Sequence, residues 1–323
     1  MSNFAELTHA EQFAAIEHLA RAALREYGVE PQAMETLVHA ENTTYKVTSD
    51  QGFFCIRVCR PGYRTRSQLE SELAFVSDLA SAGFHVPAPF PPGLVQASAP
   101  EVPEARNCLL LHWQEGVIHR EGLSVAQAAS VGEVMGRLHN FAAAWSVPEG
   151  FDRPSNFDWI SKPNGHFDAP NERIREEDRL LLLEVDQRTR GIVARLGRDP
   201  ASFGLIHADL HHGNLLFDGD RLNLIDFDDV CWSYWLYDFA AALVYELPNA
   251  EYPAVRDAML EGYARHRPLP PLTEELLNPF LQLRLAGVSN WILSRADNPR
   301  IRAASKGWIE HMCNSIRSVP IES

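Results

Sequence analysis

The strongest constraint on this chain lies in residues 205–230, LIHADLHHGNLLFDGDRLNLIDFDDV. His207, Asp209, Asn214, Asp226 and Asp228 all fall in that short segment, separated by apolar runs. Leu205-Ile206, Leu215-Leu216-Phe217 and residues 222–225 read as short strands. Asp218-Gly219-Asp220 is a tight-turn signal, so residues 215–225 are predicted to form a hairpin. A hairpin returns the chain to where it began, which is expected to carry Asp226 back beside Asn214 and Asp209.

Carboxylates and an amide gathered in this way suit phosphoryl transfer. One carboxylate orients the attacking hydroxyl and accepts its proton, while oxygen ligands hold magnesium against the phosphates. His207-Ala208-Asp209, then Asn214 five positions after the aspartate, then Asp226-Phe227-Asp228 beyond the next strands, has the spacing of the kinase signature. The segment resembles the catalytic core of the aminoglycoside phosphotransferase-like kinases. That superfamily includes choline kinases, bacterial homoserine kinases and a stress-response kinase group. The resemblance implies an α+β, two-lobed protein-kinase-like fold. Its small antiparallel-sheet N-lobe would span residues 1–115 and its larger, mainly helical C-lobe residues 116–323. It also implies ATP and Mg²⁺ as cofactors, with Asp209 as base and His207 bracing the catalytic loop. Asn214 and Asp226 would ligate the metal, and Asp228 would assist the metal or cap the turn. Two positions depart from the family pattern. Ala208 stands where many members have glycine, and Asp228 takes the third position of the DFG motif, which argues against an ordinary protein kinase.

The remaining motifs are read against that expectation. Residues 10–27 have helical periodicity, with Thr8 as N-cap and Gly28 after the end. Residues 35–38, 43–48 and 53–58 read as strands. The turn at 39–42 would lie over the nucleotide phosphates but has no glycine, so Asn42, Thr43 and Thr44 would have to do that work. Glu41-Asn42-Thr43-Thr44-Tyr45 resembles the E-N-x-T-Y stretch of the superfamily. Cys55 and Arg57 share one strand face, opposite Ile56 and Val58. By the resemblance, Cys55 would line the adenine pocket and Arg57 would replace the usual lysine on the phosphates, with Lys46 a weaker candidate. On the helix predicted over 66–82, Glu70 and Glu72 are candidates to pair with Arg57, and Glu72 has the better spacing. Residues 86–103 are proline-rich and read as a loop with one short strand. Residues 108–111 read as a buried strand leading to a hinge, where Leu111, His112 and Trp113 would read the adenine edge.

In the second half, residues 124–145 form an amphipathic pattern capped by Ser124, with His139 toward its apolar side. Residues 148–169 are aromatic-rich and irregular. Residues 179–196, 252–266, 273–295 and 301–316 read as helices. The charge run 172–178 is either a guide for a cationic substrate or a solvated helix face. Trp232, Tyr234, Trp235 and Tyr237 could form an alkylammonium cage or pack a helix start. Asp238 resembles the superfamily aspartate that braces the catalytic loop. Arg284, Asn290, Trp291 and Arg295 lie in the helices that usually shape the acceptor site.

The net charge of −14 weighs against nucleic-acid binding and is compatible with a cationic acceptor. No apolar run is long enough to span a bilayer, and the N-terminus does not read as a signal peptide. Five scattered cysteines without a CxxC spacing read as reduced thiols of a cytoplasmic protein. The reading is therefore an ATP-dependent phosphotransferase acting on a hydroxyl of a small-molecule acceptor, with no membrane or nucleic-acid partner. Three alternatives remain open: a silent ATP-binding regulator, a protein Ser/Thr kinase on the same fold, and a metal-dependent hydrolase using His207, Asp209, His211 and His212. The sequence identifies neither the acceptor nor the oligomeric state.

Overall fold

The computed structural model describes residues 4, 7–39, 42–155, 167, 170, 172–295 and 299–321. Glu41, Phe157 and Trp159 of the motifs above lie outside them. The chain divides into two compact units.

The first unit holds Met1–Gly116, Val147–Arg153 and Leu216–Asp228. Helix α1 (His9–Glu26) starts at a capping box made by Thr8 and Glu11, which satisfies two otherwise orphaned donors. Five strands follow: β1 (Pro31–His39), β2 (Thr43–Ser49), β3 (Gly52–Val58), β4 (Pro89–Ala97) and β5 (Arg106–His112). They form an antiparallel sheet in the order β1-β2-β3-β5-β4. Register sorts the side chains between its two faces. Thr43 lies opposite Val58, Tyr45 opposite Ile56 and Val47 opposite Phe54. This set, apart from Thr43, packs with Leu19, Ala20, Ala23 and Leu24 of α1 in one apolar core. Burying each such large side chain contributes about 1.5–3 kcal/mol. Thr44 opposite Arg57 and Lys46 opposite Cys55 occupy the other face. Helix α2 (Arg66–Ser81), capped by Thr65 and Gln68, packs Leu69 and Leu73 with Leu94 and Leu109 in a separate, smaller core.

The proline-rich segment holds the one strand expected, and it is longer than a short one: nine of residues 86–103 form β4, which pairs among the described residues with β5 at the sheet edge and is irregular between Pro89 and Leu94. An edge strand can absorb prolines because half of its backbone groups need no partner. Strands β6 (Phe203–Ile206), β7 (Leu215–Asp218) and β8 (Arg221–Leu224) include the predicted hairpin: β7 and β8 pair, with Gly219 at φ +58° between them. The Leu224 amide donates to the His85 carbonyl at 2.9 Å, and Asn223 Nδ2 donates to that of Glu115 at 2.6 Å.

The second unit is mainly helical: Val117–Ser146, Pro154–Leu215 and Asp229–Ser323. It contains α3 (Val125–Ala144), α4 (Glu176–Leu196), α5 (Trp235–Leu243), α6 (Tyr252–Ala264), α7 (Thr273–Ser294) and α8 (Pro299–Ser318). Strand β9 (Cys231–Tyr234) pairs antiparallel with β6. Helices α3 and α6 meet backbone to backbone. A Cβ on Gly132 would lie 2.0 Å from the Met259 carbonyl oxygen, and one on Gly262 would lie 2.1 Å from that of Ala129. Only glycine permits that approach. Within the charge run, Asp178 is buried and bridges Arg175 (2.6 Å) and Arg317 (2.7 Å), tying α4 to α8. The aromatic cluster packs the start of α5. Tyr234 donates to the Gly197 carbonyl at 2.7 Å, Trp235 Nε1 donates to that of Pro200 at 3.1 Å, and both side chains are buried.

Candidate active site

In the second unit, β6 delivers His207, Ala208 and Asp209 into a loop held by Asp238 of α5. The fully buried Asp238 carboxylate accepts the His207 amide at 3.0 Å and the Ala208 amide at 2.7 Å. The second bond matters because Ala208 sits at φ +69°, a left-handed conformation that costs a residue with a Cβ on the order of 1 kcal/mol. Asp238 Oδ2 also faces His139 Nε2 at 3.0 Å, and His139 Nδ1 lies 3.0 Å from the Tyr263 hydroxyl. A carboxylate can only accept, so Nε2 carries the proton and Tyr263 donates to Nδ1. Burial holds the His139 imidazole below its ordinary range despite the pull of Asp238.

Beyond the brace, both carboxylate oxygens of Asp209 are engaged. Asn214 Nδ2 donates to Oδ2 at 2.9 Å and to the Asp209 carbonyl at 2.8 Å. His211 Nε2 lies 3.4 Å from Oδ2, and Arg284 Nη2 of α7 pairs with Oδ1. Burial pushes the Asp209 carboxyl up, but Arg284 and then His211 hold it far below the usual carboxylate range. With both Asn214 bonds made through its NH₂ group, its Oδ1 is turned away from Asp209. Glu246 is fully buried, accepting the Leu123 amide at 2.9 Å with His212 Nδ1 at 3.4 Å.

In the first unit, Arg57 Nη2 donates to both Glu72 oxygens, at 2.8 and 2.7 Å, and both side chains are buried. Burial opposes the Arg57 charge, but Glu72 and then Asp228 more than compensate, keeping the guanidinium protonated. The other candidate, Glu70, pairs instead with Arg66 at the surface, at 2.8 Å. Asn42 joins three segments: its Nδ2 donates to Asp228 Oδ2 at 3.0 Å, and its Oδ1 accepts the Arg60 amide at 3.1 Å. Asp228 further lies 3.7 Å from Arg64, and its carbonyl accepts from Arg153. Asp226 belongs to this unit and has φ +63°.

Cys55 and Leu111 are paired on the Arg57 face of the sheet. Burial pushes the Cys55 thiol up to about 12, so it stays a protonated, weakly reactive thiol. The side chains of Thr43 and His112 lie on the sheet face opposite Arg57. Thr43 lies on the face packed against α1, and the His112 ring packs on Phe54 and Phe90, with centroids 5.4 and 5.6 Å away. The backbone amides of His112 and Trp113 donate to the carbonyls of Ala88 (2.9 Å) and Phe53 (3.1 Å). Lys46 Nζ lies 4.3 Å from the Trp113 ring centroid. Sequence reasoning missed the pairing of Arg284 with Asp209 and the roles of Arg64, Arg153 and Glu246. Arg284 did carry a signal, as a lone charge in the apolar run FLQLRLAG.

A small antiparallel-sheet unit carrying a buried strand cation and a second, mainly helical unit with a braced Asp–Asn loop are the parts of a kinase-like fold. The chain belongs to the phosphotransferase enzyme family (APH), whose profile matches residues 35–275. Its relatives include amicoumacin kinase of Bacillus subtilis (strain 168), 23% identical over 280 residues, covering 82% of this chain and 81% of that one. Homoserine kinase of Methylobacillus flagellatus is 30% identical over 236 residues, covering 71% and 68%. Among solved structures, a microcompartment-associated aminopropanol kinase is similar with a TM-score of 0.77 and 26% identity, covering 92% of this chain and 95% of that one.

Proposed function

We propose that this protein transfers the γ-phosphoryl group of ATP, with Mg²⁺, to a hydroxyl of a small acceptor that also carries an amine. The observation that carries this reading is the Asp209–Asn214 pair on a loop braced by Asp238. Homoserine and aminopropanol, named in two of the similar kinases, are both small amine-bearing alcohols.

Asp209 lines up the acceptor hydroxyl and takes its proton as the phosphoryl group moves. Its low proton affinity suits a loose transition state, in which orientation matters more than early proton removal. Oδ1 of Asn214 and the carboxylate of Asp226 are hard oxygen donors of the kind Mg²⁺ requires, and the amide orientation of Asn214 keeps its oxygen available. The metal would neutralise charge on the phosphates. Arg57, fixed by Glu72, steadies the phosphates. Asp228 ties down the turn that carries Asn42 through Oδ2, while its Oδ1, 3.7 Å from Arg64 and without a hydrogen bond among the described residues, is an oxygen that would also assist the metal. His207 contributes its backbone amide to the loop brace.

The hydrolase reading finds no support, since no three His, Cys, Asp or Glu side chains converge as metal ligands among the described residues. Replacing Asp209 separates chemistry from binding. Asp209→Asn is expected to lower turnover by about 10²–10⁴-fold while ATP still raises the melting temperature. Loss of ATP-induced stabilisation in step with turnover would count against the assigned role.

A further inference from the structure

Arg284 is a buried cation with spare hydrogen-bonding capacity at the centre of the second-unit site. It sits on α7 between Leu283 and Leu285, both buried, and its own side chain is only 12% exposed. A guanidinium in such a place must be paired. Nη2 pairs with Asp209 Oδ1, Nη1 makes one long contact of 3.4 Å with the Ala208 carbonyl, and the enclosed Nε edge lies on the side of Tyr237, whose ring centroid is 5.9 Å from the guanidinium carbon, so the remaining N–H groups open to an acceptor are those of Nη1 and Nη2. Arginine presents five N–H groups in a planar fork matched to a carboxylate or other oxyanion. The protein uses only part of that fork. What remains lies next to the carboxylate that the acceptor hydroxyl must approach.

The neighbouring side chains leave that edge to the guanidinium. His211 flanks Asp209 on its other oxygen. Glu246 is turned to the Leu123 amide and His212. An acceptor bringing only a positive charge would meet a guanidinium already in place. One with an oxyanion close to its hydroxyl would meet unused donors.

We infer that Arg284 is a specificity-determining residue for the acceptor. It binds an oxyanion carried within a few bonds of the hydroxyl that is phosphorylated, so the preferred acceptors are hydroxyl-bearing amino acids rather than the matching amino alcohols. This rests on the kinase reading above.

The test uses pairs that differ only by a carboxylate: L-homoserine and 3-aminopropan-1-ol, L-serine and ethanolamine, L-threonine and 1-aminopropan-2-ol. Each is assayed with ATP and Mg²⁺ for ADP release and phosphomonoester formation. In the pair used best, the carboxylated member is expected to be favoured by about 100-fold in kcat/KM, the equivalent of one strong charge-assisted hydrogen bond. Arg284→Gln is expected to shrink that ratio below about tenfold, chiefly through the KM of the carboxylated member. Arg284→Lys, which keeps the charge but loses the fork, falls between and serves if the glutamine variant does not fold. Preference for the amino alcohols would overturn the inference. So would an equal loss for both members, which would make Arg284 only a prop for Asp209. Phosphorylation of alcohols lacking any anionic group, with none of the carboxylates used, would sink the inference and leave the kinase reading standing. No transfer to any alcohol would sink both.

Discussion

Arg57 is a buried cation on β3, and its pairing with Glu72 sets a measurable condition. The two charges are buried together, and one guanidinium nitrogen serves both carboxylate oxygens, leaving Nε without a hydrogen-bond partner among the described residues. Removing one partner strands a buried charge. Arg57→Met is expected to destabilise the protein by about 3–5 kcal/mol in urea melts. The double variant Arg57→Met/Glu72→Leu recovers most of that stability but not ATP turnover. A single variant as stable as the double would contradict the account. Arg57 and Glu72 were legible in the sequence because the two-residue strand period and the helix spacing both pointed to them. The faces taken by the Thr43 and His112 side chains were not legible, because a one-residue shift in register moves a side chain to the opposite face, and register is set by pairing with neighbouring strands.

Among the elements, α3 supports the brace of the catalytic loop by setting His139 against Asp238 of α5. The close approach of Gly132 and Gly262 lets α3 and α6 lie near enough for His139 and Tyr263 to meet. The groups facing His139 are Asp238 of α5, Tyr263 of α6, the Trp235 ring and, at longer range, Arg267. In the folded protein its proton affinity is lowered, whereas the unfolded chain takes up a proton near the ordinary value of 6.5. The unfolded state therefore binds more protons as pH falls below that value. The stability from neutral His139 is complete above it and is lost on acidification. The melting temperature of the wild-type protein should fall more steeply from pH 7.5 to 5.5 than that of His139→Asn; parallel slopes would show that His139 is not held neutral. Helices with strong periodicity and a Ser or Thr cap were legible to within a few residues, as α1, α2 and α3 illustrate. Strand β4 was obscured by its prolines, whose tolerance depends on an edge position that appears only once the sheet is assembled. The pairing of Asp178 with Arg317 joins residues far apart in sequence, which no local pattern encodes.

For the whole molecule, the dense polar segment at residues 205–230 was enough to indicate the fold class and the kinase family. Its aspartates and asparagine lie between strands whose apolar runs are visible by eye, and the family match spans residues 35–275. The described helices include none long and apolar enough to cross a membrane. The acceptor was not legible, because one fold hosts many substrates and the helices after residue 250 carry no motif. The central claim is phosphoryl transfer to a hydroxyl, and ³¹P NMR observes the product directly. With protein, ATP, Mg²⁺ and an amine-bearing alcohol, the account predicts a phosphomonoester signal growing in step with ADP, absent without Mg²⁺ and slowed about 10²–10⁴-fold with Asp209→Asn. ATP left intact with every acceptor, or ADP accompanied only by inorganic phosphate, would contradict it.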